Sequence, residues 1–137
     1  KLLAAIEEYK EAANTCNVIL KTNPDNERAL TIKGDSLYYS RKYEEALGVY
    51  NKILDSQPNK TGILGQKGLC LANLGRYQEA VLVYNQILTR RPRHIEILNN
   101  KGTALMAITR NQDAITNCFD HILENLSERE LHPFGHP

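Results

Sequence analysis

Cys118 and His121 stand three residues apart, and His132 and His136 follow downstream. A thiolate and three imidazoles are a chemically competent zinc set. The spacing is not that of a standard finger, however, and both Cys118 and His121 occupy positions that recur elsewhere in the chain as packing positions. No metal and no cofactor is therefore expected. Arg90, Arg91, Arg93 and His94 form the one basic cluster, broken by Pro92. It could touch phosphate or an acidic peptide, but a solvated loop is the preferred reading. A net charge of +1, with no basic stripe and no interleaved aromatics, argues against nucleic acid. The acidic pairs Glu7-Glu8, Glu44-Glu45 and Glu128/Glu130 could do acid–base work. Glu44 and Glu45, though, open a helical pattern, where carboxylates complement the macrodipole. No serine or cysteine sits in a nucleophile turn, and the glycines are isolated rather than gathered into a phosphate loop. An enzyme is not expected.

The positions that carry no such chemistry are the informative ones. Gly34, Gly68 and Gly102 recur every 34 residues, and a common skeleton surrounds each. Ala12, Ala46, Ala80 and Ala114 keep the same phase, as do Pro24, Pro58 and Pro92, with Leu126 where a fourth proline would fall. Tyr9, Tyr43 and Tyr77 recur too, with Asn111 as the departure. Leu30, Leu64 and Leu98 precede each glycine by four; Leu37, Leu71 and Leu105 follow it by three. A fixed period of this length signals one small unit stacked several times. The units are 27–60, 61–94 and 95–128, after a partial unit 1–26 that could equally be one long capping helix.

Each unit reads as two helices. Leu30, Gly34 and Leu37 share one helical face; Tyr43, Ala46, Leu47, Tyr50, Ile53 and Leu54 share another. Proline closes the unit because it cannot continue a helix. The pattern predicts helices over 27–40, 43–56, 61–74, 77–90, 95–108 and 111–124. Glycine inside a helix costs about 1 kcal/mol relative to alanine. Repeated three times, it implies close approach of the second helix, with Tyr50 and Tyr84 supplying bulk and Cys16 and Cys118 taking that slot at the ends. Lys33, Lys67 and Lys101 flank these glycines and read either as stems lying over the repeat junctions or as a cationic row. Ser127 and Glu130 look like the N-cap and capping box of a further helix, which Pro133 would stop, with Leu131 and Phe134 either folding back over the open end or belonging to a linker.

On Leu64, Gly68, Leu71, Gly75, Tyr77, Ala80, Tyr84 and Pro92, the chain resembles the tetratricopeptide-repeat family. The resemblance runs in register over residues 1–128. It departs at Leu30, Leu64 and Leu98, where tryptophan is usual, at Lys33, Lys67 and Lys101, where leucine is common, and at Ile53 and Ile87, usually alanine. It implies an all-α, right-handed α-solenoid of stacked antiparallel helix pairs, with the first helix of each pair lining the concave side.

Stacked pairs make an extended concave surface that binds other proteins. The concave-facing candidates are the residues that packing does not use: Arg28, Thr31, Ile32, Asp35, Tyr38 and Tyr39, then Gly62, Gly65, Gln66, Leu69, Ala72 and Asn73, then Glu96, Asn99, Asn100, Thr103, Met106 and Ala107. The polar and aromatic members suit a peptide, since amides both donate to and accept from an extended backbone. The expected function is a non-catalytic scaffold or adaptor that holds a partner's peptide or helix; the alternative is a structural spacer or self-assembly segment in a longer protein. Some relatives clamp the acidic tail of heat-shock chaperones with lysines, an arginine and asparagines. Here those positions hold Thr31, Asp35, Gln66, Glu96 and Asn100, or, one unit earlier, Lys1, Ile32, Gly62 and Gln66. Neither set supplies the needed cations, and no such clamp is expected. No segment is long and apolar enough for a membrane span, and residues 1–12 do not read as a signal peptide. Three cysteines without framework spacing suit a reducing, cytoplasmic compartment. Self-association through the exposed ends of the array is a further partner expectation.

Overall fold

The computed structural model describes the backbone of residues 2–131 and side chains to residue 127. Among the described residues every regular element is a helix: α1 Leu2–Thr22, α2 Glu27–Tyr39, α3 Tyr43–Ser56, α4 Thr61–Asn73, α5 Tyr77–Arg90 and α6 Ile95–Leu131. Each helix packs on the next in chain order, and α4 also touches α6. Residues 2–22 form one uninterrupted helix. The chain is an all-α tetratricopeptide-type solenoid, as the resemblance implies.

The core follows the repeat phase. Leu30, Leu37, Leu64 and Leu71 are buried on the first helices, and Ala46, Tyr50, Ile53, Ala80, Tyr84 and Ile87 on the second. The glycines decide how close the helices come. A Cβ at Gly34 would lie 2.6 Å from Tyr50 Cε1, and at Gly68 the Tyr84 ring takes the same place. Each tyrosine lies in the space that a side chain would need. Lys33, Lys67 and Lys101 are half-buried, as aliphatic stems over a junction would be.

The turns inside the first two full units share one device. After α2, Arg41 adopts φ 63°; after α4, Gly75 adopts φ 78°. Lys42 N–H donates to the Leu37 carbonyl at 2.9 Å, and Arg76 N–H to the Leu71 carbonyl at 2.8 Å. This is a left-handed cap that closes the first helix and turns the chain into the second. Between units, Asn26 caps α2, its side chain accepting from Ala29 N–H at 3.0 Å.

The last unit departs from expectation. The helices predicted over 95–108 and 111–124 are one helix, α6, of 37 residues, about 55 Å long. Thr109 occupies the position of Arg41 and Gly75. A β-branched residue is a strong outlier at positive φ, and Thr109 Oγ1 instead bonds the Leu105 carbonyl at 3.0 Å within the helix. Asn111 replaces Tyr43 and Tyr77, and Cys118 replaces Tyr50 and Tyr84, so there is also less to gain from folding back. Consequently Leu98 and Leu105 are 44% and 43% exposed, against 2–8% for their equivalents in the earlier units. Among the described residues, a Cβ at Gly102 would meet nothing within 4 Å. Cys118, expected to line the core, is exposed, while Cys16 and Cys70 are buried. Ser127, expected to cap a new helix, lies inside α6. The remaining tail readings, on His132, Pro133, Phe134, Gly135, His136 and Pro137, lie outside the described residues.

Burial also moves protons. It pushes the Cys70 thiol up to about 12, with the Asp35 charge adding to the effect. The Tyr84 phenol goes up to about 12, again through burial first and then Tyr38 and Cys70.

Two outcomes follow from this packing. Gly68→Leu forces the Tyr84 ring aside and lowers stability by about 1–3 kcal/mol. Gly102→Leu meets open space and leaves stability unchanged or raised by up to about 1 kcal/mol through helix propensity. Thermal melts of both variants check the contrast; equal losses at the two positions would contradict it. Alkali supplies the second. Below pH 9 the Cys70 thiol is protonated in both folded and unfolded chains. Above its ordinary value of 9.0 only the unfolded chain ionises, until the folded thiol follows near 12, so stability is lost across that window. The melting temperature should fall between about pH 9 and 12, less steeply in Cys70→Ala; parallel profiles would refute the assignment.

Candidate functional site: the face of α2, α4 and α6

The first helices of the units expose the residues that the repeat leaves out of its core. On α2, Arg28, Ile32 and Tyr39 are exposed and Thr31 half-buried; on α4, Gly62 and Asn73 are exposed; on α6, Glu96, Asn99, Thr103 and Met106 are exposed and Asn100 half-buried. Behind this face, glycine–tyrosine contacts fix α2 against α3 and α4 against α5.

A cleft of about 230 Å³ lies between α4 and α6. Gly62 and Gly65 form its thin wall on α4, joined by Gln66 and Leu69, with Ile97 and Asn100 opposite. Among the described residues, a Cβ built on Gly65 would meet Ile97 Cδ1 alone, at 3.7 Å. Backbone can therefore approach backbone here. His94 stands at the mouth and accepts from Ile97 N–H at 3.4 Å, helping to cap α6. Arg90, Arg91 and Arg93 are exposed around the same turn.

The polar and aromatic candidates are not equivalent. Asp35 and Gln66 are drawn into the repeat junction. Tyr50 Oη donates to Asp35 Oδ1 at 2.6 Å, and Gln66 Nε2 donates to Tyr50 Oη at 3.3 Å. Burial raises the Tyr50 pKa far above the usual phenol value; the Asp35 hydrogen bond adds to this and the Gln66 bond opposes it. This chain of bonds joins α2, α3 and α4, and it gives the buried phenol a partner where none would be costly. The periodicity identified Tyr50 as a packing residue; its hydroxyl partners are a tertiary matter.

Tyr38 is likewise committed. It meets Tyr39 edge-on at 5.3 Å and Tyr43 at 5.5 Å. Burial raises its pKa first, with Tyr43 adding and Asn73 opposing. Tyr39 stacks on Tyr9 of α1 at 5.3 Å yet stays 57% exposed. This aromatic cluster joins α1, α2 and α3, and Tyr9 is a member that sequence reasoning placed in the repeat but not at the site. Asn73 Nδ2 donates to the Leu69 carbonyl at 2.8 Å, and Thr31 and Thr103 bond back to their own helices. Among the described residues the Asn99 and Asn100 side chains make no hydrogen bond and stand ready for one. Arg28 offers an exposed cation on α2.

Among the described residues no His, Cys, Asp and Glu side chains gather into a metal-binding group. Cys118 and His121 are both exposed on α6, with His121 Nδ1 3.1 Å from Asn125 Nδ2. Among the described residues no helix is long and apolar enough to cross a membrane.

Comparison with known proteins agrees with this geometry. The family model described as anaphase-promoting complex, cyclosome, subunit 3 matches residues 6–87, and one described as tetratricopeptide repeat matches residues 66–119. No curated protein matches the sequence. Among solved structures, MamA of AMB-1 superposes with a TM-score of 0.66 at 23% identity, over 76% of this chain and 57% of that one. The chain thus spans little more than half of that relative. The first tetratricopeptide domain of Spaghetti (RPAP3), bound to the HSP90 peptide SRMEEVD, gives 0.69 at 19% identity, over 80% and 94% of the two chains. The first such domain of human RPAP3 gives 0.69 at 18%, over 82% and 95%. These identities speak to the fold. With residues 6–87 matched to the first model, and the same repeat running through α2–α5, the chain belongs to the anaphase-promoting complex, cyclosome, subunit 3 family of tetratricopeptide-repeat proteins.

Proposed function

We propose that this chain is a protein-interaction module that holds a partner's peptide or helix against the face of α2, α4 and the first half of α6, as a non-catalytic scaffold. The observation that carries the reading is the cleft between α4 and α6. Its glycine wall admits a backbone, and Asn100 and Gln66 supply donors and acceptors at its rim. A solved domain of the same fold carries a peptide, which supports the reading by analogy of fold. The anchors are few and shallow, so affinity is on the order of micromolar. The three cysteines are free thiols, which suits a reducing, cytoplasmic setting. The mixed charge of the exposed face favours protein over nucleic acid.

Asn99, Asn100 and Thr103 test the assignment cleanly, because their side chains hold no other helix in place. Peptides selected on the chain from a random display library should bind the triple Asn99→Ala, Asn100→Ala, Thr103→Ala variant about ten-fold more weakly or worse. Its melting temperature should stay the same. Unchanged affinity for every selected peptide would defeat the reading.

The same face argues against an acidic chaperone tail. Asp35 and Glu96 stand where a carboxylate clamp needs an asparagine and a lysine, and Thr31 and Asn100 replace further cations. Calorimetric titration with SRMEEVD should show no binding tighter than about 1 mM; a micromolar Kd would overturn this conclusion.

A further inference from the structure

The first half of α6 presents an unfilled slot. Leu98, Gly102 and Leu105 repeat Leu30, Gly34 and Leu37 and also Leu64, Gly68 and Leu71, position for position. In the two earlier units the slot over the glycine is filled by a tyrosine ring, Tyr50 or Tyr84. Over Gly102 no described residue fills it, and the flanking leucines are 44% and 43% exposed. The matching filler lies on the same helix, further along. Ala114, Cys118 and Ile122 keep the phase of Ala46, Tyr50 and Leu54, and of Ala80, Tyr84 and Leu88. That segment is exposed along its whole described length, including Ile115 at 59% and Phe119 at 62%.

We propose that residues 111–127 are a closable strap: α6 opens and closes at Thr109–Arg110, and in the closed state this segment folds back onto Leu98, Gly102 and Leu105 as the second helix of the third unit. The repeat itself says what covers the slot, since the pairing of Gly34 with Tyr50 and of Gly68 with Tyr84 becomes Gly102 with Cys118. Three residues hold the strap open. Thr109 resists the left-handed turn that Arg41 and Gly75 adopt. Asn111 lacks the ring of Tyr43 and Tyr77, and the Cys118 thiol fills the slot less fully than a tyrosine. The strap is thus a low-stability element on a rigid body.

Cys118 reports the state, because closure carries it from an exposed site to the buried position of Tyr50 and Tyr84, whereas Cys16 and Cys70 are buried throughout. Thr109→Gly relieves the turn. In that variant, modification of Cys118 by a maleimide should slow by about ten-fold or more. The hydrodynamic radius should shrink, with helix content by circular dichroism kept. Adding Gly102→Leu, which blocks the slot but meets nothing in the straight form, should restore fast modification. Three results would overturn the proposal: Cys118 reactivity unchanged in Thr109→Gly; slowing that Gly102→Leu does not reverse; or slowing that grows with protein concentration alongside a doubled mass, which would mean that a second copy fills the slot.

Discussion

The whole array depends on one contact, a tyrosine ring seated on a bare helix backbone. Tyr50 lies against Gly34 and Tyr84 against Gly68, so near that any side chain on the glycine would collide with the ring. Dense packing of this kind tolerates little adjustment. It sets the distance between the two helices of a unit, and the leucines at either side of each glycine are buried as a result. Where the ring is missing, the leucines surface and the unit does not close.

Tyr50 also ties neighbouring units together. The Tyr50 hydroxyl bonds Asp35 on the helix before it and takes a bond from Gln66 on the helix after it. An apolar contact and a polar one are thus carried by a single side chain, and each constrains the other: the ring cannot shift without stranding a buried phenol. Ion pairs contribute at the margins. Arg76 forms a two-point contact with Glu79 at 3.0 and 2.7 Å and reaches toward Glu44 at 3.6 Å, but all three groups are solvated and such pairs add little. Glu27, bonded by Gln57 and paired with Lys60, ties the start of α2 to the following inter-unit turn.

Function follows from what packing leaves over. A repeat that spends its leucines, alanines and tyrosines on the inside leaves a face whose composition is free to vary, and here that face is glycine-walled and amide-rimmed. Part of it is nevertheless recruited back. Asp35, Gln66 and Tyr38 lie at groove positions by phase but serve the junctions between helices, whereas Asn99, Asn100 and Thr103 stay available. The distinction matters for any mapping of the surface, because substitutions at the first group perturb the scaffold and those at the second do not.

Periodicity alone was enough for the repeat and, through residue 90, for its helices and its buried leucines, alanines and tyrosines, since a phase that recurs three times reports directly which side of each helix faces its neighbour. Local chemistry was also enough to place the acidic first turn at Glu44 and Glu45. Two things were decided only in three dimensions. The first is which polar side chains partner one another across helices, because Tyr50, Asp35 and Gln66 are far apart in sequence and no spacing rule connects them. The second is the fate of residues 95–131. A hairpin forms only if the left-handed turn and the ring contact are both available, and this competition pits local backbone preference against tertiary packing. Thr109, Asn111 and Cys118 each tip it toward a straight helix, a signal that was present in the residues but acquires its weight only when the slot over Gly102 is seen to be empty.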